Sequence, residues 1–370
     1  MLMKIKAIYV LSFFICLCNT NFAQKSVPNT TSPTKFSPKE FNEEPPKSII
    51  FIIADGTGLS QYSLSYYTNS NFSINRFKHI GLVTTHPNDK KKKVTDSAAS
   101  GTALATGEKT YNGAISVDNN HQPIKTVLEW AIEEEMSTGL VATSTITHAT
   151  PASFAAHVKS RVLQNDIAHQ MASSNVNVLL GGGKKYWTEN SIGKFTANNG
   201  VFIDNIEDSI PNNKNVLGLF NEDGLPPANK RAVTTTKMTK KALNILEKNK
   251  NGFFLMVEES QVDWSGHSND GVGSSSEMES LNELVNFCID YQEKNPSTLV
   301  LLTSDHECGG LAINDGENNE MNCSFTTTYH TATLVPVFAI GPGSKYFNQF
   351  LDNTDIGKKL IEYVKNNSLN

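Results

Sequence analysis

Short, continuous apolar runs alternate with amphipathic stretches along most of this 370-residue chain. The first run, Ser48–Ala54, is rich in β-branched residues, which is typical of a strand buried on both faces of a sheet. Similar runs recur at 139–142, 176–180, 253–257, 298–302 and 334–340. Helix-like stretches separate them at 126–135, 166–172, 235–247 and 278–291. The alternation predicts an α/β fold in which a largely parallel sheet is layered by helices.

Two stretches lack this periodicity. Residues 24–47 are dominated by Pro, Ser, Thr, Asn and Lys, which bury too little apolar surface to fold alone, so a flexible N-terminal segment is predicted. Residues 193–232 carry many Asn, Gly and Pro and are predicted to form loops or an excursion over the surface. The remaining length favours one large domain, 48–370, over two domains.

The first residues have the layout of a cleavable signal peptide. Lys4 and Lys6 precede an apolar run at 7–17, a polar stretch and the small residue Ala23. A membrane anchor is the competing interpretation, but the run is shorter than the roughly 20 apolar residues that a spanning helix needs. We therefore expect a signal peptide at 1–23, export to the periplasm or the medium, and no transmembrane anchor in the mature form.

The cysteines leave two questions open. Cys16 and Cys18 could indicate lipid attachment, yet each follows a bulky Ile or Leu where a small residue would be expected. The expected mature chain keeps Cys288, Cys308 and Cys323, an odd number that excludes a full disulfide framework. Cys308 and Cys323 could pair in an oxidising compartment, and two unrelated buried thiols are an equal alternative.

The charge balance gives no sign of a nucleic-acid partner. The chain has 32 Lys and Arg residues against 37 Asp and Glu residues, a formal net charge of -5. A basic surplus, the usual mark of nucleic-acid binding, is absent from the sequence. The run of lysines at 90–93 is the local exception, and it reads either as a solvated loop or as a patch that draws anionic substrates inward.

Acidic residues follow three of the predicted strands. Asp55 follows the first strand, Glu258 follows the strand at 253–257, and Asp305 with His306 follows the strand at 298–302. Working residues of open parallel sheets gather beyond the carboxyl ends of the strands. One such carboxylate would be read as a helix cap or turn residue, whereas three together indicate bound cations.

A second block combines carboxylate and imidazole. Asp263 and His267 lie four residues apart, so a helical segment would place both on one face. Carboxylate plus imidazole is the ligand mixture that suits zinc. One such pair is weak evidence, but together with His306 and the later His330 it suffices for two zinc-like sites.

Two further blocks suit phosphate. Asp96 and Ser97 precede small residues at an apparent helix start, where free backbone N–H groups and the helix dipole stabilise an anion; a simple N-cap is the alternative role. Thr150 supplies a hard oxygen after the strand at 139–142. Arg161 offers a planar pair of donors that matches two phosphate oxygens, which a lysine could not duplicate.

Taken together, these blocks resemble the alkaline phosphatase family in order and spacing, from about residue 50 to about residue 343. The motifs are Asp55-Gly-x-Gly, Thr95-Asp96-Ser97-Ala98, His148-Ala-Thr-Pro with Arg161, Glu258-x-x-x-x-Asp263-x-x-x-His267, Thr303-Ser-Asp305-His306-Glu and His330-Thr. The resemblance implies a three-layer sandwich with a mostly parallel central sheet flanked by helices. It also implies metal-dependent hydrolysis of phosphate monoesters through a covalent phosphoserine, with a broad substrate range, an alkaline pH optimum and a homodimeric enzyme.

The same resemblance implies two Zn²⁺ ions and one Mg²⁺ ion. Asp263, His267 and His330 are similar to the ligands of one zinc. Asp305 and His306 are similar to ligands of the second. Two ions roughly 4 Å apart can hold both the attacking and the leaving oxygen of an in-line displacement.

The remaining roles also follow from the resemblance. Asp55 looks like the ligand shared between the second zinc and the magnesium. Thr150 and Glu258 match the other protein ligands of the magnesium. Ser97 matches the nucleophile and Arg161 matches the phosphate clamp.

Two positions vary within the family. His148 stands where some members have Asp, and Trp264 stands where some have Lys. A lysine would add positive charge near the phosphate, so the hypothesis is that phosphate is held less tightly here and released faster. Imidazole at the third site would also make that site less selective for magnesium.

Three other functions fit the sequence less well. A sulfatase would need Cys or Ser in a Cys/Ser-x-Pro-x-Arg motif, which the residues after Ser97 do not supply. A phosphodiesterase of this type often uses Thr and lacks the equivalent of Arg161. A non-catalytic phosphate or metal binder would need no nucleophile. The natural substrate and the working temperature are not encoded in these motifs.

Overall fold

The computed structural model describes residues 26–28, 37–70 and 72–366. The chain divides into two compact units, Met1–Thr34 and Lys35–Asn370, and the second contains every strand and helix of the described residues. The predicted signal peptide at 1–23 lies outside the described residues. No helix of the described ranges is long and apolar enough to cross a membrane.

Strands and helices alternate through the second unit. The strands are β1 (Ser48–Ala54), β2 (His79–Thr84), β3 (Ser137–Thr145), β4 (Val178–Gly182), β5 (Gly200–Ile203), β6 (Asn215–Leu219), β7 (Phe253–Glu259), β8 (Thr298–Thr303), β9 (Glu307–Cys308), β10 (Leu311–Asp315), β11 (Met321–Phe325), β12 (His330–Thr331), β13 (Val335–Ile340) and β14 (Phe350–Asp352). The α-helices are α1 (Leu59–Thr68), α2 (Ser97–Thr106), α3 (Val127–Glu133), α4 (Ala149–Ala155), α5 (Gln164–Met171), α6 (Glu189–Ala197), α7 (Thr235–Leu246), α8 (Gln261–His267), α9 (Gly271–Lys294) and α10 (Asn353–Asn366). Short 3₁₀ turns lie at Ser73–Arg76, Lys184–Tyr186, Ala228–Lys230 and Ser344–Phe347.

Ten strands form one sheet in the order β14-β2-β13-β8-β1-β7-β3-β4-β6-β5. All neighbours in this sheet run parallel except β13, which is antiparallel to both β2 and β8. The two neighbours of β1 are β7 and β8, and every residue of β1 is buried. The carboxyl ends of these three strands therefore meet at one edge of the sheet.

Apolar side chains pack on both faces of the sheet. Ile49, Phe51 and Ile53 of β1 face one core, together with side chains from α2, α3, α4 and α10. Ile50 and Ile52 face the other core, with side chains from α1, α7 and α9. This arrangement confirms the predicted α/β sandwich with its mostly parallel central sheet.

The prediction of loops at 193–232 was wrong in part. That range includes β5 and β6, which complete one edge of the sheet and pair parallel with each other. Both strands are short, with four and five residues, and a Gly and an Asn interrupt their apolar pattern. Such a short strand gives too few alternating positions to stand out from its flanking turns.

Part of the predicted flexible segment packs on the C-terminal region. The backbone N–H of Lys39 donates to Oε1 of Gln349 at 2.8 Å. The Glu40 carboxylate pairs with Nζ of Lys359 at 2.5 Å, and Lys359 is itself buried. These contacts fix the chain a few residues before β1 begins.

Cys288, Cys308 and Cys323 are free thiols in the structure. Cys288 and Cys308 are buried, and Cys323 is partly exposed on β11. The structure therefore has no disulfide between Cys308 and Cys323.

Candidate active site

The predicted site residues come together beyond the carboxyl ends of β1, β7 and β8. Asp55 follows β1, Glu258 is the next-to-last residue of β7, and Asp305 follows β8. The others are brought to the same edge by the starts of α2 and α4, by α8, by the turn after β8 and by β12; they are Ser97, Thr150, Asp263, His267, His306 and His330. All of these residues are buried except His267, which is partly exposed.

The first cluster consists of Asp263, His267 and His330. One turn of α8 places Asp263 and His267 on the same face, as the sequence predicts, with Oδ2 and Nε2 3.4 Å apart. His330 Nε2 lies 3.3 Å from Asp263 Oδ1 and 3.1 Å from His267 Nε2. Nδ1 of His267 lies 2.7 Å from the carbonyl oxygen of Thr328, and Nδ1 of His330 lies 2.9 Å from that of Thr95. A proton on each Nδ1 leaves the Nε2 lone pairs free for a metal ion.

The second cluster surrounds the hydroxyl of Ser97. His306 Nε2 lies 3.2 Å from Ser97 Oγ, 3.2 Å from Asp305 Oδ2 and 3.6 Å from Asp55 Oδ1. Oδ1 of Asp305 accepts hydrogen bonds from the backbone N–H groups of Gly56 at 3.2 Å and His306 at 2.9 Å. Those bonds orient the carboxylate so that its second oxygen faces the cluster.

The third cluster lies on the other side of Asp55. Ligand atoms of Asp55, His148 and Glu258 lie within 4.8 Å of one another. Oε2 of Glu258 accepts hydrogen bonds from Ser144 Oγ at 3.0 Å and Ser260 Oγ at 2.6 Å. The other oxygen, Oε1, therefore faces the cluster.

Unpartnered polar atoms are concentrated at these three clusters. Buried side-chain atoms without a hydrogen-bond partner include both oxygens of Asp55, Thr150 Oγ1, Glu258 Oε1, Asp263 Oδ1, Asp305 Oδ2, His306 Nδ1 and His148 Nδ1. A buried polar group left unpaired costs several kcal/mol, and a buried charge costs more. Divalent cations coordinated by these oxygens would remove that cost, so the donor set fits metal ions. The mixed nitrogen and oxygen donors of the first two clusters suit zinc, and the oxygen-rich third cluster suits magnesium.

The carboxylates repel one another without cations. Burial, together with the charges of Asp305 and Asp263, raises the pKa of Asp55 well above its usual range. Burial likewise raises the pKa of Glu258 to about 7 and that of Asp305 to about 6. Burial also acts to raise the pKa of Asp263, but the adjacent imidazoles of His267 and His330 hold it well below its usual range. A site built to hold cations has this electrostatic pattern.

Ser97 is the first residue of α2, and Asp96 is its N-cap. Oδ1 of Asp96 accepts from the backbone N–H of Ala99 at 2.9 Å, and Oδ2 lies 3.2 Å from Nη1 of Arg161. Nη2 of Arg161 lies 3.1 Å from Nε2 of His148. Burial and the charge of Arg161 lower the pKa of His148 to about 3, so this imidazole is neutral. The guanidinium is thus held beside the serine at a helix N-terminus, an arrangement suited to a phosphoryl group.

Sequence reasoning missed the groups that orient the predicted ligands. Ser144 and Ser260 bind Glu258, and the carbonyl oxygens of Thr95 and Thr328 face the two histidines. Of these groups, only Ser260 lies close in sequence to the ligand that it orients, two residues after Glu258. Cys308, an open candidate for a disulfide in the sequence, instead has its Sγ within 4.8 Å of ligand atoms of Asp263, His267 and His330.

Three anionic clusters around one serine, with an arginine beside it, define a metal-dependent hydrolase that acts on phosphoryl groups. The family model for alkaline phosphatase matches residues 46–323. Alkaline phosphatase 3 of Bacillus subtilis (strain 168) is 35% identical, over 94% of this chain and 95% of that protein. The chain belongs to the alkaline phosphatase family and is a phosphomonoester hydrolase.

Solved structures show the same similarity. The alkaline phosphatase of the Antarctic bacterium TAB5 superposes with a TM-score of 0.82 at 34% identity, over 88% of this chain and 99% of that one. A His-to-Asp variant of the TAB5 enzyme, with magnesium bound in its M3 site, superposes with a TM-score of 0.81 over the same shares of the two chains. The cold-active alkaline phosphatase of a psychrophilic Shewanella species has a TM-score of 0.81 at 31% identity, over 86% of this chain and 99% of that one.

Proposed function

We propose that Ser97 is the nucleophile of this phosphomonoesterase and that Arg161 positions the phosphoryl group. The observation that supports the proposal is the position of Ser97 at the same sheet edge as the eight predicted metal ligands, with its Oγ 3.2 Å from His306 Nε2. Ser97 attacks phosphorus in line with the ester oxygen, the bond to the alcohol breaks, and the alcohol leaves. Water then attacks the phosphoserine, which releases inorganic phosphate and restores the hydroxyl of Ser97.

We assign two zinc ions and one magnesium ion to the three clusters. Asp263, His267 and His330 would hold one zinc. Asp55, Asp305 and His306 would hold the second. When bound, such ions stabilise negative charge on the attacking and leaving oxygens.

The third cluster is assigned to magnesium. Asp55 would be shared with it, and Thr150 and Glu258 would supply the other protein oxygens. His148 lies within reach of the same cluster, which supports the hypothesis that its metal selectivity is relaxed. The magnesium in the M3 site of the TAB5 His-to-Asp variant supports a third metal site in this chain as well.

Arg161 accounts for a preference for monoesters. Its Nη1 and Nη2 lie against Asp96, the residue before Ser97, and His148, and a guanidinium is a planar pair of donors that matches two phosphoryl oxygens. A diester has one fewer free oxygen to offer this pair. Because these contacts reach only the phosphoryl group, a broad range of alcohols is accepted.

Rapid acid quenching during turnover tests the covalent step. Phosphate is expected on the peptide that contains Ser97, detected by mass spectrometry after proteolysis, because the phosphoserine lies between the two displacements. Phosphate on a different residue, or on none while turnover is in progress, would contradict the assignment. A sample quenched without substrate provides the baseline.

Trp264→Lys tests the hypothesis about product release. Trp264 follows Asp263, and its ring lies 6.5 Å from the His148 ring, close to the arginine clamp. A lysine would add positive charge there, so we expect the inhibition constant for inorganic phosphate to fall by about 3- to 10-fold. Trp264→Phe is the matched control, since it retains an aromatic side chain without charge. Unchanged or weaker inhibition by phosphate in the lysine variant would reject the hypothesis.

Processing and assembly are proposed on the same family resemblance. Residues 1–23 would be removed as a signal peptide, and the enzyme would act in the periplasm or outside the cell. The mature enzyme would be a homodimer.

A further inference from the structure

Three stacked rings lead from the buried metal-ligand clusters to the surface. The rings of His306 and His330 are 3.5 Å apart at 20°, and those of His330 and Tyr329 are 4.5 Å apart at 14°. Exposure increases along this column from fully buried His306 to Tyr329, which is 50% exposed. One face of the Tyr329 ring therefore covers His330, and the outer face is open to solvent.

Hydrogen bonds hold the Tyr329 backbone, whereas its hydroxyl forms none among the described residues. The backbone N–H donates to Thr327 Oγ1 at 3.1 Å, and the carbonyl oxygen accepts from the N–H of Gly309 at 3.0 Å. Across the described ranges, no group forms a hydrogen bond with the phenolic hydroxyl. An exposed aromatic ring on a fixed backbone is a typical ligand-contacting residue, because few rotatable bonds must be ordered on binding.

The ring also lies at the edge of a metal-ligand cluster. The ring centroid is 5.9 Å from that of His267, so Tyr329 borders the cluster of Asp263, His267 and His330. Ser97 Oγ lies at the cluster that contains His306, so an in-line displacement would place the leaving alcohol on the opposite side, at the cluster that Tyr329 borders.

We propose that the outer face of Tyr329 binds the organic group of the substrate by stacking, which makes Tyr329 a specificity-determining residue. The ligand class is a planar aromatic group attached close to the ester oxygen, as in benzyl or aryl monophosphates. This inference rests on the proposed placement of phosphate at Ser97. Stacked aromatic pairs gain attraction beyond the burial of their area, so flat rings are favoured over puckered rings of the same size.

Benzyl phosphate and cyclohexylmethyl phosphate provide a matched substrate pair. Both are esters of primary alcohols of similar size, and they differ in the planarity of the ring. We expect Tyr329→Ala to lower kcat/KM about 10-fold for benzyl phosphate and less than about 3-fold for cyclohexylmethyl phosphate. The inhibition constant for inorganic phosphate should stay within about 2-fold of the wild-type value.

Control variants separate stacking from other roles of Tyr329. Tyr329→Phe should retain the preference for the planar ring, because the hydroxyl is not needed for stacking. Tyr329→Leu should lose that preference while still covering His330. Tyr66→Ala removes a tyrosine of similar exposure, 60%, on α1 and should change kcat/KM for neither substrate.

Several outcomes would overturn the proposal. Equal losses of kcat/KM for both substrates in Tyr329→Ala, or weaker inhibition by inorganic phosphate, would mean that Tyr329 only supports His330. Loss of the preference in Tyr329→Phe would assign the effect to the hydroxyl. Failure of the wild-type enzyme to hydrolyse either substrate would instead refute the proposed function.

Discussion

Ser97→Ala is expected to lower kcat for phosphate monoesters by about 10³-fold or more. The alanine lacks the oxygen that forms the phosphoserine, and no other hydroxyl is proposed to attack phosphorus in its place. The residual rate would come from water that uses the same charge stabilisation. Steady-state kinetics with p-nitrophenyl phosphate would measure the loss.

The same variant should keep its metal ions and its affinity for inorganic phosphate, because the ligands and Arg161 are unchanged. Metal analysis and phosphate titration would check both properties. Ser63→Ala, at an exposed position of α1, is a matched control with no expected effect. A Ser97→Ala enzyme that keeps a tenth or more of the wild-type kcat would rule out Ser97 as the nucleophile.

Removal of divalent cations is expected to abolish turnover and to lower the stability of the protein. Three buried carboxylates, those of Asp55, Glu258 and Asp305, have raised pKa values because burial and mutual repulsion disfavour their charged forms. Cations that bind only the folded state stabilise it by mass action, so their loss should lower the melting temperature. Treatment with a chelator, followed by activity and thermal unfolding measurements, would detect both effects.

Adding back zinc and magnesium should restore activity and melting temperature together. Magnesium alone should restore neither fully, because the first two clusters offer imidazole nitrogens that magnesium binds poorly. Glu258→Gln would serve as the comparison variant, since it changes the third cluster and spares the other two. Full turnover by protein shown by metal analysis to be free of divalent cations would refute a metal-dependent mechanism.

The central strands could be predicted from the sequence because they are buried on both faces. Runs such as that of β1 contain almost only apolar residues. Their short length and β-branched composition favour a buried strand over a helix. The antiparallel direction of β13 could not be predicted from the sequence, since an apolar strand in a sheet buries the same side chains whether it runs parallel or antiparallel to its neighbours. The edge strand β5 and its neighbour β6 were not predicted because they are short and carry Asn and Gly.

The site was predictable where its residues are close in sequence or follow a strand. Asp263 and His267 share one helical turn, and Asp305 with His306 directly follow β8. Most groups that orient the predicted ligands are backbone N–H groups and carbonyl oxygens, which leave no trace in residue identity, or a serine distant in sequence such as Ser144. The ring column that ends at Tyr329 likewise depends on three-dimensional packing.

Crystals of the metal-replete enzyme with bound phosphate, measured for anomalous scattering at the zinc absorption edge, would test the central claim most directly. The expected result is two zinc peaks roughly 4 Å apart, one at Asp263, His267 and His330 and one at Asp55, Asp305 and His306, with phosphate between the Ser97 hydroxyl and Arg161. Zinc absent from both clusters, or phosphate bound away from Ser97, would contradict it.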